Sequence, residues 1–203
     1  MQLDLSRMSP NQIYFAFIQT IIPRPIAWVL SDNGDGGFNL APFSYFNGVS
    51  SDPPLIMLSI GKKPDGGLKD TRLNIAERGD FVVHIAHREL AEQVTESSRG
   101  LPHGESELER VGMETTPFEG SRLPRLVGPR IAFACEKERI IDVGNVPQGL
   151  ILGLVKQIWI DDAVAEENDG RLTVHADKVD PLGRLGFNDY SLFGEQKTVP
   201  RPK

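Results

Sequence analysis

The polar residues between Ser44 and Ser51 stand close together and precede the prolines of Asp52-Pro53-Pro54. Proline has no backbone N–H and fixes its own φ, so this segment is predicted to be an ordered, non-helical loop that ends where strand 55–60 begins. Such a loop offers hydroxyl groups, an amide and free backbone donors, which can hold an anion or a polar heterocycle. The residues that would make these contacts are Ser44, Asn47, Gly48, Ser50 and Ser51. An ordinary surface turn is the alternative, because Ser, Asn and Gly also suit turn geometry.

Lys69, Asp70 and Thr71 place a cation, a helix-capping carboxylate and a hydroxyl next to one another. Asp70 is a natural N-cap for a helix over 71–78, whose free N–H groups would lie beside Lys69 and Thr71. Phosphate groups bind at such helix N-termini, so this segment predicts a phosphate site. The serine-rich loop and the apolar residues 26–28 suit the edge and wall of an aromatic redox ring. A solvated lysine beside an ordinary first-turn threonine is the alternative.

Short elements joined by tight turns would position these residues. Ser9-Pro10-Asn11-Gln12 has the pattern of a capping box with proline at the first helical position, so a helix begins there. Residues 26–31 read as a strand, and the glycine-rich turn 33–37 lets residues 38–40 return as the second arm of a hairpin. Further strands are predicted at 55–60, 81–86, 131–142 and 149–160, and further helices at 71–78, 88–97 and 105–111. The tail 181–193 is expected to lack regular structure before Asn188.

Antiparallel strands joined by turns, with helices as interruptions, predict a mainly β chain with helical insertions (α+β) that closes into a β-barrel. No strand is followed by the GxGxxG pattern of a dinucleotide-binding domain. Gly61-Lys62-Lys63 lacks both the upstream glycine and the following Ser or Thr of a phosphate-binding P-loop. These two nucleotide-binding classes are therefore disfavoured.

The composition is that of a globular protein, with 203 residues, 39% hydrophobic and 25% charged. That length predicts one domain over residues 1–203. A net charge of −6 gives no reason to expect nucleic acid or an anionic membrane surface as a partner. The single cysteine, Cys135, excludes an internal disulfide framework and fits a reducing compartment, so a cytoplasmic location is expected.

Four blocks of the sequence also resemble one known family. They are PRPIAWVLS, NLAPFSYFNGVSSDPPLIMLSI, KDTRLNI and PLGRLGFNDYSLF, which occur in family order over most of the chain. They are similar to the signature blocks of the flavin reductase-like proteins, whose fold is the FMN-binding split β-barrel. The resemblance implies a flavoprotein oxidoreductase that passes electrons through the flavin N5, with NADH or NADPH as a possible donor.

The same resemblance implies a homodimer with FMN near the subunit interface and assigns roles to individual residues. Arg24 would line the flavin, while the loop residues contact the ring and the ribityl chain: Ser44, Asn47, Gly48, Ser50 and Ser51. Lys69 and Thr71 would bind the phosphate, and Arg184 and Tyr190 would face the substrate side. Members that reduce free flavin with NADH often carry a Gly-Asp-His turn, whereas this chain has Gly144-Asn145-Val146, so nicotinamide use is the less supported part.

The remaining candidate residues are histidines. His84 and His87 are predicted to be structural, and no metal site is expected. His103 is a candidate lid residue, and His175 is a candidate for the substrate side. No protein acid–base pair is expected, because the flavin itself carries the redox chemistry.

Two alternative functions stay open. An FMN oxidoreductase that holds its flavin tightly and acts on an organic substrate is one alternative, and a non-catalytic flavin-binding or redox-sensing module is another.

Overall fold

The computed structural model describes residues 1–34, 36–102, 105–146 and 148–202, so Asp35 of the predicted hairpin turn and the candidate His103 lie outside the described residues. Its α-helices are α1 (Pro10–Thr20), α2 (Asp70–Arg78), α3 (Ala91–Glu96), α4 (Glu107–Arg110) and α5 (Ala176–Val179). Its larger strands are β2 (Ala27–Asp32), β3 (Phe38–Phe43), β4 (Phe46–Ser51), β5 (Pro54–Ile60), β6 (Asp80–Ile85), β9 (Ile131–Val143) and β10 (Gln148–Ile160). The short strands are β1 (Arg24–Pro25), β7 (Thr115–Thr116), β8 (Arg125–Leu126), β11 (Ala165–Asn168), β12 (Arg171–Val174), β13 (Gly183–Arg184) and β14 (Tyr190–Ser191).

The larger strands form one antiparallel sheet in the order β3-β2-β6-β9-β10-β5-β4. Its centre is the long β9–β10 hairpin, which has register shifts at Leu152/Gly153 and at Val155/Gln157. Such irregularities increase the local twist, which lets a sheet curl toward closure. The predicted class, mainly β with helical insertions, is confirmed.

Both faces of β2 are buried, which explains its nearly continuous apolar sequence. Trp28 and Leu30 pack in one core with residues of α3 and α4. Ala27 and Val29 point to the other face and pack in a second core with side chains of β5, β6 and β10. Ile75 of α2 also belongs to this second core, which holds the helix against the sheet. The start of α2, with Lys69 and Thr71, is therefore held at a fixed place beside the sheet.

The serine-rich segment is a strand and not the predicted loop. β4 pairs antiparallel with β5, from Phe46 opposite Leu58 to Ser51 opposite Pro54. β4 lies at the edge of the sheet and most of its side chains are exposed, so it lacks the apolar alternation that identifies a half-buried strand. The prolines end this strand in a tight turn instead of closing a loop.

The helix starts agree with the prediction in one case and differ in the other. Ser9 and Gln12 form the predicted capping box at the start of α1, each side chain bonding the other's backbone N–H. At α2 the N-cap is Lys69, and Asp70 is the first helical residue, where a carboxylate favours the helix dipole. The tail also differs, because Gly183 and Arg184 pair with β1 before Asn188.

Candidate functional site

Three adjoining cavities share Pro42, the residue before the last position of β3, as a lining residue. We name them by a characteristic lining residue. The lysine cavity (about 350 Å³) contains Lys69, the arginine cavity (about 230 Å³) contains Arg184, and the glutamine cavity (about 350 Å³) contains Gln148. The lysine and glutamine cavities are within the usual size range of small-molecule sites, and the arginine cavity is smaller.

Lys69 and Thr71 meet in the lysine cavity at the start of α2. The Lys69 ammonium lies 5.4 Å from the centre of the Phe43 ring, and burial lowers the pKa of Lys69. Thr71 is 1% exposed, and its hydroxyl oxygen accepts a hydrogen bond of 2.8 Å from Asn39 Nδ2. Because that oxygen is the acceptor, the hydroxyl proton of Thr71 is left to donate.

The charged side chains of the lysine cavity differ in whether they have an ion-pair partner. Lys63 pairs with Asp70 at 2.9 Å. Among the described residues, no carboxylate lies within 4.0 Å of the ammonium groups of Lys62 and Lys69. Glu107 is buried, accepts a hydrogen bond of 3.2 Å from the Leu40 N–H, and has its pKa raised by burial. Two unpaired cations, a free hydroxyl proton and the N–H groups of a nine-residue helix suit a phosphate monoester.

Arg24 holds Ser44, the residue directly after β3, in place. Its buried guanidinium donates to Ser44 Oγ (3.3 Å) and to the carbonyls of Ile18, Ile21 and Leu185. Burial lowers the pKa of Arg24. Arg24 lines none of the three cavities, so its action on them is to fix Ser44, which lines two.

Arg184 and Tyr190 lie together in the arginine cavity. The guanidinium carbon of Arg184 is 4.6 Å from the centre of the Tyr190 ring, and Tyr190 is hydrogen-bonded to Thr95 through its hydroxyl at 2.8 Å. Tyr14 of α1 completes the wall.

The structure brings five of the candidates together and leaves the others elsewhere. The cavities are lined by Ser44, Lys69, Thr71, Arg184 and Tyr190. The exposed edge strand β4 carries Asn47, Gly48, Ser50 and Ser51, which line none of the three. His175 lies at the N-cap of α5, with Nε2 3.6 Å from Glu166, and lines none of them either.

Sequence reasoning missed several residues that line the cavities: Tyr14, Asn39, Pro42, Phe43, Lys62, Ser98 and Gln148. Asn39, Pro42 and Phe43 precede Ser44 in the same block, which was a usable signal. Tyr14 and Gln148 come from elements distant in sequence, and only the folded chain shows that they meet.

His84 is a structural residue, as predicted. It is fully buried, its Nδ1 lies 3.1 Å from the Trp28 carbonyl, and its Nε2 accepts from the Leu126 N–H. These partners fix the neutral tautomer with the proton on Nδ1, and burial lowers the pKa of His84 to about 4. In the described part of the chain, no group of three or more His, Cys, Asp or Glu side chains is placed to hold a metal ion. None of the described helices is long and apolar enough to span a membrane.

Comparison with known proteins assigns most of the chain to one family model. Residues 19–183 match the model described as flavin reductase like domain. The crystal structure of nitrilotriacetate monooxygenase component B from Bacillus cereus has a TM-score of 0.89 and 32% identity, covering 98% of each chain. That of 2-nitrobenzoate 2-nitroreductase from Pseudomonas fluorescens has a TM-score of 0.89 and 30% identity, covering 100% of this chain and 96% of the other. A Shewanella frigidimarina protein with a split barrel domain has a TM-score of 0.85 at 16% identity over both whole chains, which confirms the predicted split β-barrel fold.

Proposed function

Because the chain belongs to the flavin reductase-like domain family, we propose that it is an FMN-binding flavoprotein oxidoreductase with NADH or NADPH as its electron donor. Residues 1–203 form one FMN-binding domain in this proposal. Similar structures that are named for a monooxygenase component and for a nitroreductase support the oxidoreductase class. The single free cysteine, buried Cys135, supports a cytoplasmic location, where thiols stay reduced.

The observation that carries the proposal is the charge pattern of the lysine cavity. In a chain of net charge −6, Lys62 and Lys69 face this cavity without a carboxylate partner among the described residues. Lys69 is half-buried, and an unpaired cation in such a place costs free energy unless an anion compensates it; Lys62 is exposed and adds positive charge to the same cavity. The phosphate of FMN supplies that anion, with the Thr71 hydroxyl as an additional donor.

The other residues of the site bind and orient the flavin. The side chains of Pro42 and Phe43 form an apolar wall, and Ser44, fixed by Arg24, offers a hydroxyl at its end. Bound FMN supplies a ring that accepts and donates a hydride or single electrons at N5. The protein therefore contributes position, local charge and access, and no catalytic acid–base pair is assigned.

A homodimer with FMN near the subunit interface is part of the proposal. The helix α1 buries only Ile18 and exposes Tyr14, Phe15 and Phe17. Exposed aromatic side chains on one helix mark a surface that another protein covers. The polar residues of β4 stand on an exposed sheet edge in the single chain, where a second copy brings them to its own flavin: Asn47, Gly48, Ser50 and Ser51.

The second candidate function is the oxidation or reduction of an organic substrate by an enzyme that holds its FMN tightly. The arginine cavity favours it, since a separate space beside the lysine and glutamine cavities leaves room for a second small molecule.

Anaerobic titration of the FMN-loaded protein with NADH and with NADPH tests the function. The expected result is loss of the yellow flavin absorbance at stoichiometric donor. Steady-state rates then separate the two enzymes: saturation by added FMN indicates a flavin reductase, whereas unreleased FMN indicates action on an organic substrate. If neither nicotinamide nor a ferredoxin-type donor bleaches the flavin, the chain is a non-catalytic binding or sensing module and the enzyme proposal fails.

A further inference from the structure

Three side chains form a row across the small sheet β1-β13-β14. Arg24 is paired with Arg184, and Arg184 is paired with Tyr190. Directly opposed residues of an antiparallel ladder project from the same face, so the two arginine side chains leave the sheet on the same side. Like charges in this arrangement repel, and among the described residues no carboxylate lies within 4.0 Å of either one.

The two arginines differ in what their donors do. Arg24 uses its N–H groups on three carbonyls and on Ser44, and it is buried. Arg184 makes one side-chain hydrogen bond with the described residues, from Nη2 to the Phe187 carbonyl. A guanidinium has five N–H donors, so most of those of Arg184 are left for a ligand. Arg184 is also the residue of the pair that lines the arginine cavity.

The hydroxyl of Tyr190 is already engaged. Thr95 donates its only hydroxyl proton to the Ala91 carbonyl at 2.8 Å. In the 2.8 Å contact between Thr95 and Tyr190, the tyrosine must therefore be the donor. This bond fixes the Tyr190 ring beneath the Arg184 guanidinium. The positively charged donor of the cavity is Arg184, while Tyr14 and Phe43 offer aromatic walls.

We propose that the arginine cavity binds a small aromatic carboxylate, with the carboxylate paired to the Arg184 guanidinium and the ring between Tyr14 and Phe43. Planar guanidinium groups match carboxylates through two parallel hydrogen bonds. The cavity of about 230 Å³ is the smallest of the three and is below the usual range for drug-sized ligands, which favours a single ring over a dinucleotide. The inference rests on the proposed function, because FMN is assigned to the adjoining cavities.

Benzoate and benzamide are suitable probes, because they have nearly the same shape and differ in charge. Each is titrated into the FMN-loaded protein while the visible spectrum of the bound flavin and the melting temperature are recorded. Benzoate is expected to bind about tenfold or more tightly than benzamide, the effect of one charge-assisted pair. Equal affinities, or no binding of benzoate, overturn the inference.

Variants of Arg184 test whether this residue causes the preference for benzoate over benzamide. Arg184→Gln is expected to abolish the preference for benzoate, and Arg184→Lys to retain part of it. Arg171→Gln removes an exposed guanidinium from β12 and serves as the matched control, with the preference unchanged. A preference that survives in Arg184→Gln contradicts the assignment to this residue. If Arg184→Gln instead weakens FMN binding and benzoate binds no better than benzamide to the wild type, the residue serves the flavin and the inference fails.

The outcomes distinguish this inference from the proposed function. A chain that takes up no FMN contradicts the proposed function. The melting temperature of that flavin-free chain with benzoate and with benzamide still decides the inference, since a larger stabilisation by benzoate supports it and equal stabilisation contradicts it.

Discussion

Lys69 is the residue on which the phosphate assignment depends most. It faces the lysine cavity from the N-cap position of α2, without a carboxylate partner among the described residues. Lys69→Ala is expected to weaken FMN binding by about 1.5–3 kcal/mol, the contribution of a charge-assisted contact. Riboflavin has the same ring and no phosphate, so its affinity should not change. Fluorescence titration of both flavins measures the difference.

Lys178→Ala removes a lysine from α5, outside the three cavities, and is the control for a general charge effect. It should leave both affinities unchanged. An equal loss of FMN and riboflavin affinity in Lys69→Ala would show that Lys69 acts on the ring or on the fold, and would remove the phosphate assignment.

His84 predicts a dependence of stability on pH. Its pKa is lowered to about 4 in the folded protein, so the unfolded chain binds a proton more readily between that value and the ordinary 6.5. The neutral imidazole therefore stabilises the fold above about pH 6.5, and this contribution of roughly 3 kcal/mol is lost as the pH falls toward 4. Urea unfolding at pH 7 and pH 4.5 should show a steeper loss in the wild type than in His84→Gln. Equal losses in the two proteins would contradict this role.

Arg184 and Tyr190 were candidates through the family resemblance, whereas the candidates that local sequence alone suggests are those whose contacts are local. Lys69 and Thr71 are two residues apart at the start of α2, and Ser44 directly follows β3. Asn47 and Ser50 have equally suitable side chains, yet they stand on a sheet edge away from the cavities. Their chemistry is readable from the sequence, whereas their distance from the cavities depends on the pairing of β4 with β5.

At the scale of the elements, Gly153 of β10 permits the close packing of the sheet. A Cβ atom at this position would lie 2.4 Å from the ring of Phe81, a buried residue of β6. Gly153→Ala is expected to lower the free energy of unfolding by about 1–3 kcal/mol, the usual cost of overpacking a core. Chemical denaturation measures it.

Gly48→Ala is the matched control, because Gly48 is also a strand glycine but has no atom within 4 Å of an added Cβ. Its stability should stay within about 0.5 kcal/mol of the wild type. Equal stabilities for Gly153→Ala and the wild type would mean that the contact between β10 and Phe81 is looser than the structure shows.

The elements that were predicted correctly carry strong local signals. The capping box of Ser9 and Gln12 identifies α1, and the apolar runs of β9 and β10 identify the long hairpin. β4 was missed, because an exposed edge strand has no apolar alternation and its stability comes from pairing with β5. The two-residue strand β13 was missed for the same reason, since its partner β1 is far away in sequence.

For the whole molecule, the exposed aromatic side chains of α1 predict a dimer. Phe17 is 41% exposed and belongs to a helix that buries only Ile18. Light scattering after size-exclusion chromatography should give the mass of two chains for the wild type and of one chain for Phe17→Asp, because a buried unpaired carboxylate opposes association. Leu172→Asp is the control, since Leu172 is 55% exposed on β12. A monomeric wild type would contradict the dimer.

The order of the strands in the sheet could not be obtained from the sequence alone. Antiparallel strands and a closed sheet were predicted, but the neighbours β6–β9 and β10–β5 are separated by long stretches of chain. This order brings Pro42, Phe43 and Ser44 next to Lys69 at the start of α2 on one side and next to the tail on the other. The site is therefore a property of the whole fold.

Binding of FMN by the purified chain tests the central claim most directly. Titration with FMN and with riboflavin, followed by flavin fluorescence and by calorimetry, gives the stoichiometry and both affinities. We predict one FMN per chain, bound at least about tenfold more tightly than riboflavin because of the phosphate contacts. No binding, or equal affinity for the two flavins, would contradict the account.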